Sequence, residues 1–232
     1  MSNPYVGVTG FTSRLQVEML LGKMPENSNR RLMVGVLLSH KTLQGVTNKW
    51  PNRYPQPDKI AEIFPSHPLA FNLIHYHTKE SKTLFDQLRF IIEQGFAGPN
   101  CHGFQLNVAW PNPQELNRFR AIYLSKWIVL RVGERALEMV DYSPEKLADK
   151  VEKEYRTADY ILLDQSGGFS KPLDKKRIER YLRELKARNL NVGLGTAGGL
   201  SPRTLGLVKA LADEFPELSI DVESGLRNQN DD

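Results

Sequence analysis

A single cysteine, Cys101, stands among 232 residues. One thiol closes no disulfide within the chain and builds no cysteine-rich zinc site, so a reducing compartment is expected. No apolar run approaches the roughly 18 residues that suggest a membrane span. The N-terminal stretch MSNPYVGVTGF lacks the basic-then-apolar order of a signal peptide. These absences together lead us to expect a cytoplasmic protein with no membrane partner. Charge of one sign is in short excess, 31 Lys and Arg against 27 Asp and Glu, a net +4. The positives are scattered through segments such as DKKRIERYLRELKARN and read as solvated helix faces. No aromatic or glycine pattern accompanies them, so they do not make a nucleic-acid stripe. Low-complexity tracts are missing, and the only repeat is an alternation of short apolar runs with longer amphipathic ones.

That alternation is the main signal. Eight short runs rich in Val, Ile and Leu read as strands: 5–9, 32–38, 70–77, 103–109, 127–132, 159–164, 191–196 and 219–223. Between them RLQVEMLLGKM, KTLFDQLRFIIEQG, PEKLADKVEKEY and DKKRIERYLRELKARN repeat apolar residues at helical steps. SPRTLGLVKALADEF does the same, with Ser201 expected as N-cap and Pro202 at the first helical position. Eight strands alternating with helices, in a length near the ~250 residues typical of that fold, predict a (β/α)8 TIM barrel, one domain over 1–232. An open doubly wound sheet is the alternative, since alternation alone does not show closure. The Pro-rich stretch 39–57 is expected as an extended loop over the C-terminal mouth, and the terminal RNQNDD as frayed.

Three strand ends carry glycine turns: Asp164-Gln-Ser-Gly167-Gly168, Ala197-Gly198-Gly199-Leu200 and Asp221-Val-Glu223-Ser224-Gly225. Glycine lets backbone N–H groups approach an oxyanion, and the loops after strands seven and eight are where these barrels hold phosphate. A small, phosphorylated ligand at the mouth is the expectation.

The same segments resemble the phosphoribosylanthranilate isomerases, barrels that catalyse an Amadori rearrangement without a cofactor. V-G-V-T-G-F-T at 6–12 is similar to that family's V-K-I-C-G-I-T, and P-N-R-Y at 51–54 to its S-P-R-Y. F-Q-L-N at 104–107 resembles V-Q-L-H. L-L-D at 162–164, followed by G-G-F-S-K-P-L-D, resembles L-L-D and G-G-T-G-K-T-F-D. A-G-G-L-S-P at 197–202 is similar to A-G-G-L-N-P, and D-V-E-S-G at 221–225 to D-V-S-S-G. The resemblance implies that Asp164 is the general acid and that Arg53 grips a carboxylate of the ligand. It implies further that the backbone at Gly198, Gly199, Ser224 and Gly225 holds phosphate, with Asp221 at the end of strand eight.

Three departures stand inside these motifs. Thr9 occupies the place of the family's general base, a cysteine, and its hydroxyl is far too weak an acid to supply a base near neutral pH. Gly7 replaces the preceding lysine. Glu223 stands where the family has serine beside the phosphate. Two like charges ~4 Å apart repel by about 4 kcal/mol at an effective dielectric near 20. Glu223 must therefore turn away, take up a proton, or pair with Arg203 or Arg227. Otherwise the pocket has been put to another use, with Asp221 and Glu223 sharing a face by strand parity.

His75 and His77 share a face on the third strand. Either could replace the base, His77 first, or both could ligate a metal with a carboxylate such as Asp164. Gln105, Asn107 and Arg131 are placed to meet a ligand, Arg131 otherwise pairing with Asp164 or Asp221. Gly167 and Gly168 are expected in the phosphate turns. Three function classes follow: an isomerase with Glu223 or His77 as altered base, a metal-dependent lyase, epimerase or hydrolase, and a non-catalytic ligand-binding barrel.

Overall fold

The computed structural model describes residues 3–165, 174–201 and 204–226. Eight parallel strands close into a barrel in sequence order, β1 Tyr5–Thr9, β2 Arg31–Ser39, β3 Ala70–His77, β4 Gly103–Asn107, β5 Trp127–Gly133, β6 Tyr160–Asp164, β7 Gly193–Ala197 and β8 Ser219–Val222. Closure comes from β8 pairing with β1, Asp221 opposite Gly7. The open-sheet alternative is thereby excluded.

Helices cross between the strands: α1 Arg14–Leu21, α2 His40–Leu43, α3 Ile60–Ile63, α4 Leu84–Glu93, α5 Pro113–Ile122, α6 Glu134–Glu138, α7 Pro144–Glu154, α8 Lys175–Ala187 and α9 Leu205–Glu214. Side chains that accept a backbone N–H start several of them. Ser13 forms a capping box with Gln16 on α1, and Asn112, Ser143 and Asp174 cap α5, α7 and α8. Among the described residues no helix is long and apolar enough to cross a membrane.

Strand parity divides the core in two. Alternate residues such as Val34, Ile74, Phe104, Leu130 and Ile161 pack outward under the helices. The other set, Tyr5, Met33, Phe71, Leu73, Val129, Tyr160, Leu162 and Ala197, fills the barrel. Its lower part is aromatic: Tyr5 meets Tyr160 edge-on at 5.2 Å, Phe71 meets Trp127 at 5.7 Å, and the Arg31 guanidinium lies over Phe71. This plug closes the N-terminal end and leaves the C-terminal end for polar residues. Cys101 is buried just before β4, away from that end, and burial pushes its thiol up to about 11.

Several expected boundaries move. β4 stops at Asn107 because its ladder with β5 ends at Leu106 opposite Leu130. β7 begins at Gly193, the partner of Tyr160, and β8 ends at Val222. α9 starts at Leu205 with Thr204 before it, not at Ser201; the Thr204 hydroxyl is bound to the Gly199 carbonyl and receives the Ser201 N–H. Pro202 lies outside the described residues. The stretch 39–57 is not fully extended: it holds α2 and the 3-10 turn Pro51–Arg53, and a second such turn, Pro57–Lys59, begins at its end. Helices α5 and α6 were not anticipated, although Asn112-Pro113 is a helix-start signal.

Candidate active site at the barrel mouth

The inward parity that fills the plug continues upward as Thr9 on β1, His75 on β3, Gln105 on β4, Arg131 on β5, Asp164 on β6 and Asp221 on β8. All six line one cavity of about 390 Å³. Asn107, Gly198, Gly199, Glu223 and Gly225 line it too, above them.

Asp221 is the deepest carboxylate, 5% exposed. It has room because its neighbours across the β8–β1 seam are small. A Cβ on Gly7 would stand 2.9 Å from Asp221 Oδ1 and 2.7 Å from the Met33 terminal methyl. Gly35 does the same for Thr9, whose Oγ1 sits 2.6 Å from where a Cβ would be. Thr9 donates its hydroxyl to Asp221 at 3.1 Å, and Gln105 donates Nε2 at 2.8 Å. Burial pushes the Asp221 carboxyl up to about 7. The Gln105 and Thr9 hydrogen bonds pull it down, and the charges of Glu223 and Asp164 add to the rise. Thr9 thus holds a carboxyl that titrates near neutrality.

Asp164 has a different environment. Arg131 donates Nε at 2.8 Å and Nη2 at 2.7 Å to the same oxygen, Oδ2, and its Nη1 reaches the Asn107 side-chain oxygen at 2.6 Å. The carboxylate that ends the buried run Tyr160–Leu163 thus has the partner such burial requires. Of the two partners weighed for Arg131, the structure selects Asp164.

Glu223 lines the cavity and is paired. Arg203 and Arg227 lie outside the described residues, and the described contact is with Arg53, Nη1 to Oε1 at 3.0 Å. Arg53 arrives on the 3-10 turn Pro51–Arg53, its guanidinium 4.9 Å from the Trp50 ring. The Glu223 charge is met by a salt bridge across the mouth.

Gly198 and Gly199 are both left-handed, φ 94° and 66°, a conformation that side chains resist. Gly225 packs so closely on the Leu200 carbonyl that a Cβ would stand 1.9 Å from it. Of Ser224 only the backbone is described, as the first residue of the turn Ser224–Leu226. Gly167 and Gly168 lie outside the described residues.

The two histidines separate in role. His75 is buried in the cavity wall, and burial, then Arg131 and His77, lowers its pKa to about 3 against a smaller opposing effect of Asp164. His77 Nδ1 is bound to the Asn107 carbonyl at 2.9 Å. Among the described residues no group of three or more His, Cys, Asp or Glu side chains is placed to hold a metal ion. Missed by sequence reasoning were Gly35 and the space that Gly7 leaves, for which inward parity was a usable signal, and the acid–base environment of Asp221.

Fold and site together define a TIM barrel with a polar cavity at the C-terminal ends of its strands. Its shape matches the crystal structure of phosphoribosyl anthranilate isomerase from Thermus thermophilus with a TM-score of 0.65, at 14% identity over 97% of this chain and 89% of that one. TrpF from Jonesia denitrificans matches with a TM-score of 0.57, also at 14% identity, over 97% and 88%. At this identity the likeness shows a shared fold, the TIM barrel. No protein-family model matches the sequence, and no curated protein matches it either.

Proposed function

We propose that the mouth binds a small phosphorylated, sugar-type ligand and that the protein isomerises it, aldose to ketose in the Amadori manner, with Asp221 carrying the proton. The observation behind this reading is the contrast between two carboxylates in one cavity. Asp164 is an ion-pair partner of Arg131, whereas Asp221 accepts only from the neutral donors Thr9 and Gln105 among the described residues. With a pKa of about 7, Asp221 is present in both protonation states near neutrality. A group that takes a proton from one carbon and returns it to the next needs that balance. Asp221 thus does the work of the thiol whose place Thr9 occupies, while Arg131 and Asp164 orient the sugar hydroxyls.

The left-handed pair Gly198–Gly199 and the turn at Gly225 supply backbone that an anion can approach closely. A cavity of about 390 Å³ falls in the size range of small-ligand sites. The isomerases whose fold it shares are named for a phosphoribosyl compound, which supports the ligand class. The reading requires no cofactor, nucleic acid or membrane.

Calorimetric titration with ribose 5-phosphate and with ribose tests it. The phosphorylated sugar should bind at least tenfold more tightly, about 1.4 kcal/mol, and Gly198→Val should remove the difference. Equal affinity for the two sugars, or no binding of either, would refute the reading.

A further inference from the structure

His75 is left over once the carboxylates have been assigned. The residue is 6% exposed, lines the cavity, and stands in register with Gln105 on the neighbouring strand. Nδ1 is buried without a hydrogen-bond partner, and among the described residues no hydrogen bond reaches Nε2. A buried N–H left without an acceptor is rarer in proteins than an under-used acceptor. The ring proton therefore belongs on Nε2, which leaves Nε2–H as the polar group through which the ring meets the cavity.

We propose that His75 is a catalytic residue that donates its Nε2 hydrogen to an oxygen of the bound ligand and polarises the carbonyl or hydroxyl next to the carbon on which Asp221 acts. The inference rests on the reading of the cavity as a sugar-phosphate site and adds to it a second reacting group on the β3 wall. His75 gives up no proton in this step. Asp221 takes the proton from carbon, negative charge builds on the adjacent oxygen, and the Nε2–H bond to that oxygen strengthens as it builds. The proton then returns from Asp221 to the neighbouring carbon, while the hydroxyl proton passes from the C2 oxygen, which becomes the ketone, to the C1 oxygen. An uncharged imidazole suits the task, because its donor remains in place across the working pH range and adds no charge beside Arg131. A carboxylate base with a neutral imidazole donor is an established division of labour in aldose–ketose chemistry. The same ring selects for an oxygen acceptor and against an ammonium group at that point of the ligand.

Nitrogen-15 NMR of the intact protein tests this without altering a residue. Between pH 5 and 8 His75 should remain neutral with its proton on Nε2, and ribose 5-phosphate should move the Nε2 and Nε2–H resonances. A ring that titrates in that range, or that carries its proton on Nδ1, overturns the proposal. So does a ligand that shifts the Gly198 and Gly199 amides but not His75, in which case the cavity reading survives. If neither the glycines nor His75 respond, both fall. His75→Leu should weaken ribose 5-phosphate binding about tenfold, the loss expected for one hydrogen bond. His75→Gln, which keeps a donor, should recover most of it; equal losses in the two variants would count against the donor role.

Discussion

Arg53 and Glu223 meet across the barrel mouth, Nη1 to Oε1 at 3.0 Å, joining the turn after β2 to the end of β8. The pair is partly buried, with side-chain exposures of 14% and 33%. It places a carboxylate of the protein against the guanidinium that the sequence resemblance assigns to a ligand carboxylate.

Removing that carboxylate should favour anionic ligands. Glu223→Gln is expected to tighten inorganic phosphate binding by about tenfold, a fraction of the ~4 kcal/mol that two close like charges represent. The thermal midpoint should fall slightly, since a partly exposed ion pair contributes about 1 kcal/mol or less. Calorimetry at low salt reads the first effect, and weaker phosphate binding would show that Glu223 belongs to the ligand site in some other way.

Asp221 makes folding stability depend on pH. Its carboxyl titrates at about 7 in the folded protein and near 4 in the unfolded chain. Between those values the folded state keeps a proton that the unfolded state releases, so stability falls as pH rises through this window. The penalty is absent below about pH 4 and complete above about pH 7, where it is of the order of 4 kcal/mol. Asp221→Asn cannot ionise, and its stability relative to the parent should climb between pH 4 and 7. Denaturant titrations across that range check this, and a constant difference would contradict it.

Gly7 is the space in which Asp221 sits. Gly7→Ala would press its methyl against Asp221 Oδ1, in a carboxyl held by Thr9 at Oδ1 and by Gln105 at Oδ2, while the Met33 methyl can swing aside. A loss of roughly 1–3 kcal/mol in stability is expected, as for overpacked cores. Gly22→Ala, where the nearest non-neighbouring atom is 3.5 Å away, should cost far less. Chemical denaturation of the two variants checks the contrast.

Thr9 and Gln105 both lower the Asp221 pKa by donating to its charged form. Thr9→Val and Gln105→Met should each move it above 7, and the pH optimum of any Asp221-dependent reaction upward with it. Carbon-13 NMR of the Asp221 carboxyl reads the shift directly; an unchanged or lowered value would mean that these hydrogen bonds do not control it.

The barrel was legible because eight short apolar runs alternate with amphipathic ones, and β6, for instance, is the unbroken run Tyr160–Leu163 before a lone carboxylate. That Asp164 needed a partner could also be read, and Arg131 was among the candidates. The pairing of Glu223 could not. Its partner lies 170 residues away, and only the folded loop 39–57 brings Arg53 over the mouth. The environment of Asp221 was hidden for a related reason. It depends on β8 closing against β1, where the absence of a side chain at Gly7 matters more than any residue that is present. Boundaries such as the start of α9 shifted because the Thr204 hydroxyl engages the Gly199 turn.

The central claim, that Asp221 moves a proton on a sugar phosphate held at the mouth, is tested most directly by proton NMR of ribose 5-phosphate incubated with the protein in D2O. The account predicts loss of the C2 proton signal through exchange catalysed by the parent protein and abolished in Asp221→Asn. The parent rate should rise as pH increases through about 7. No exchange with the parent, or the same exchange with Asp221→Asn, would contradict it.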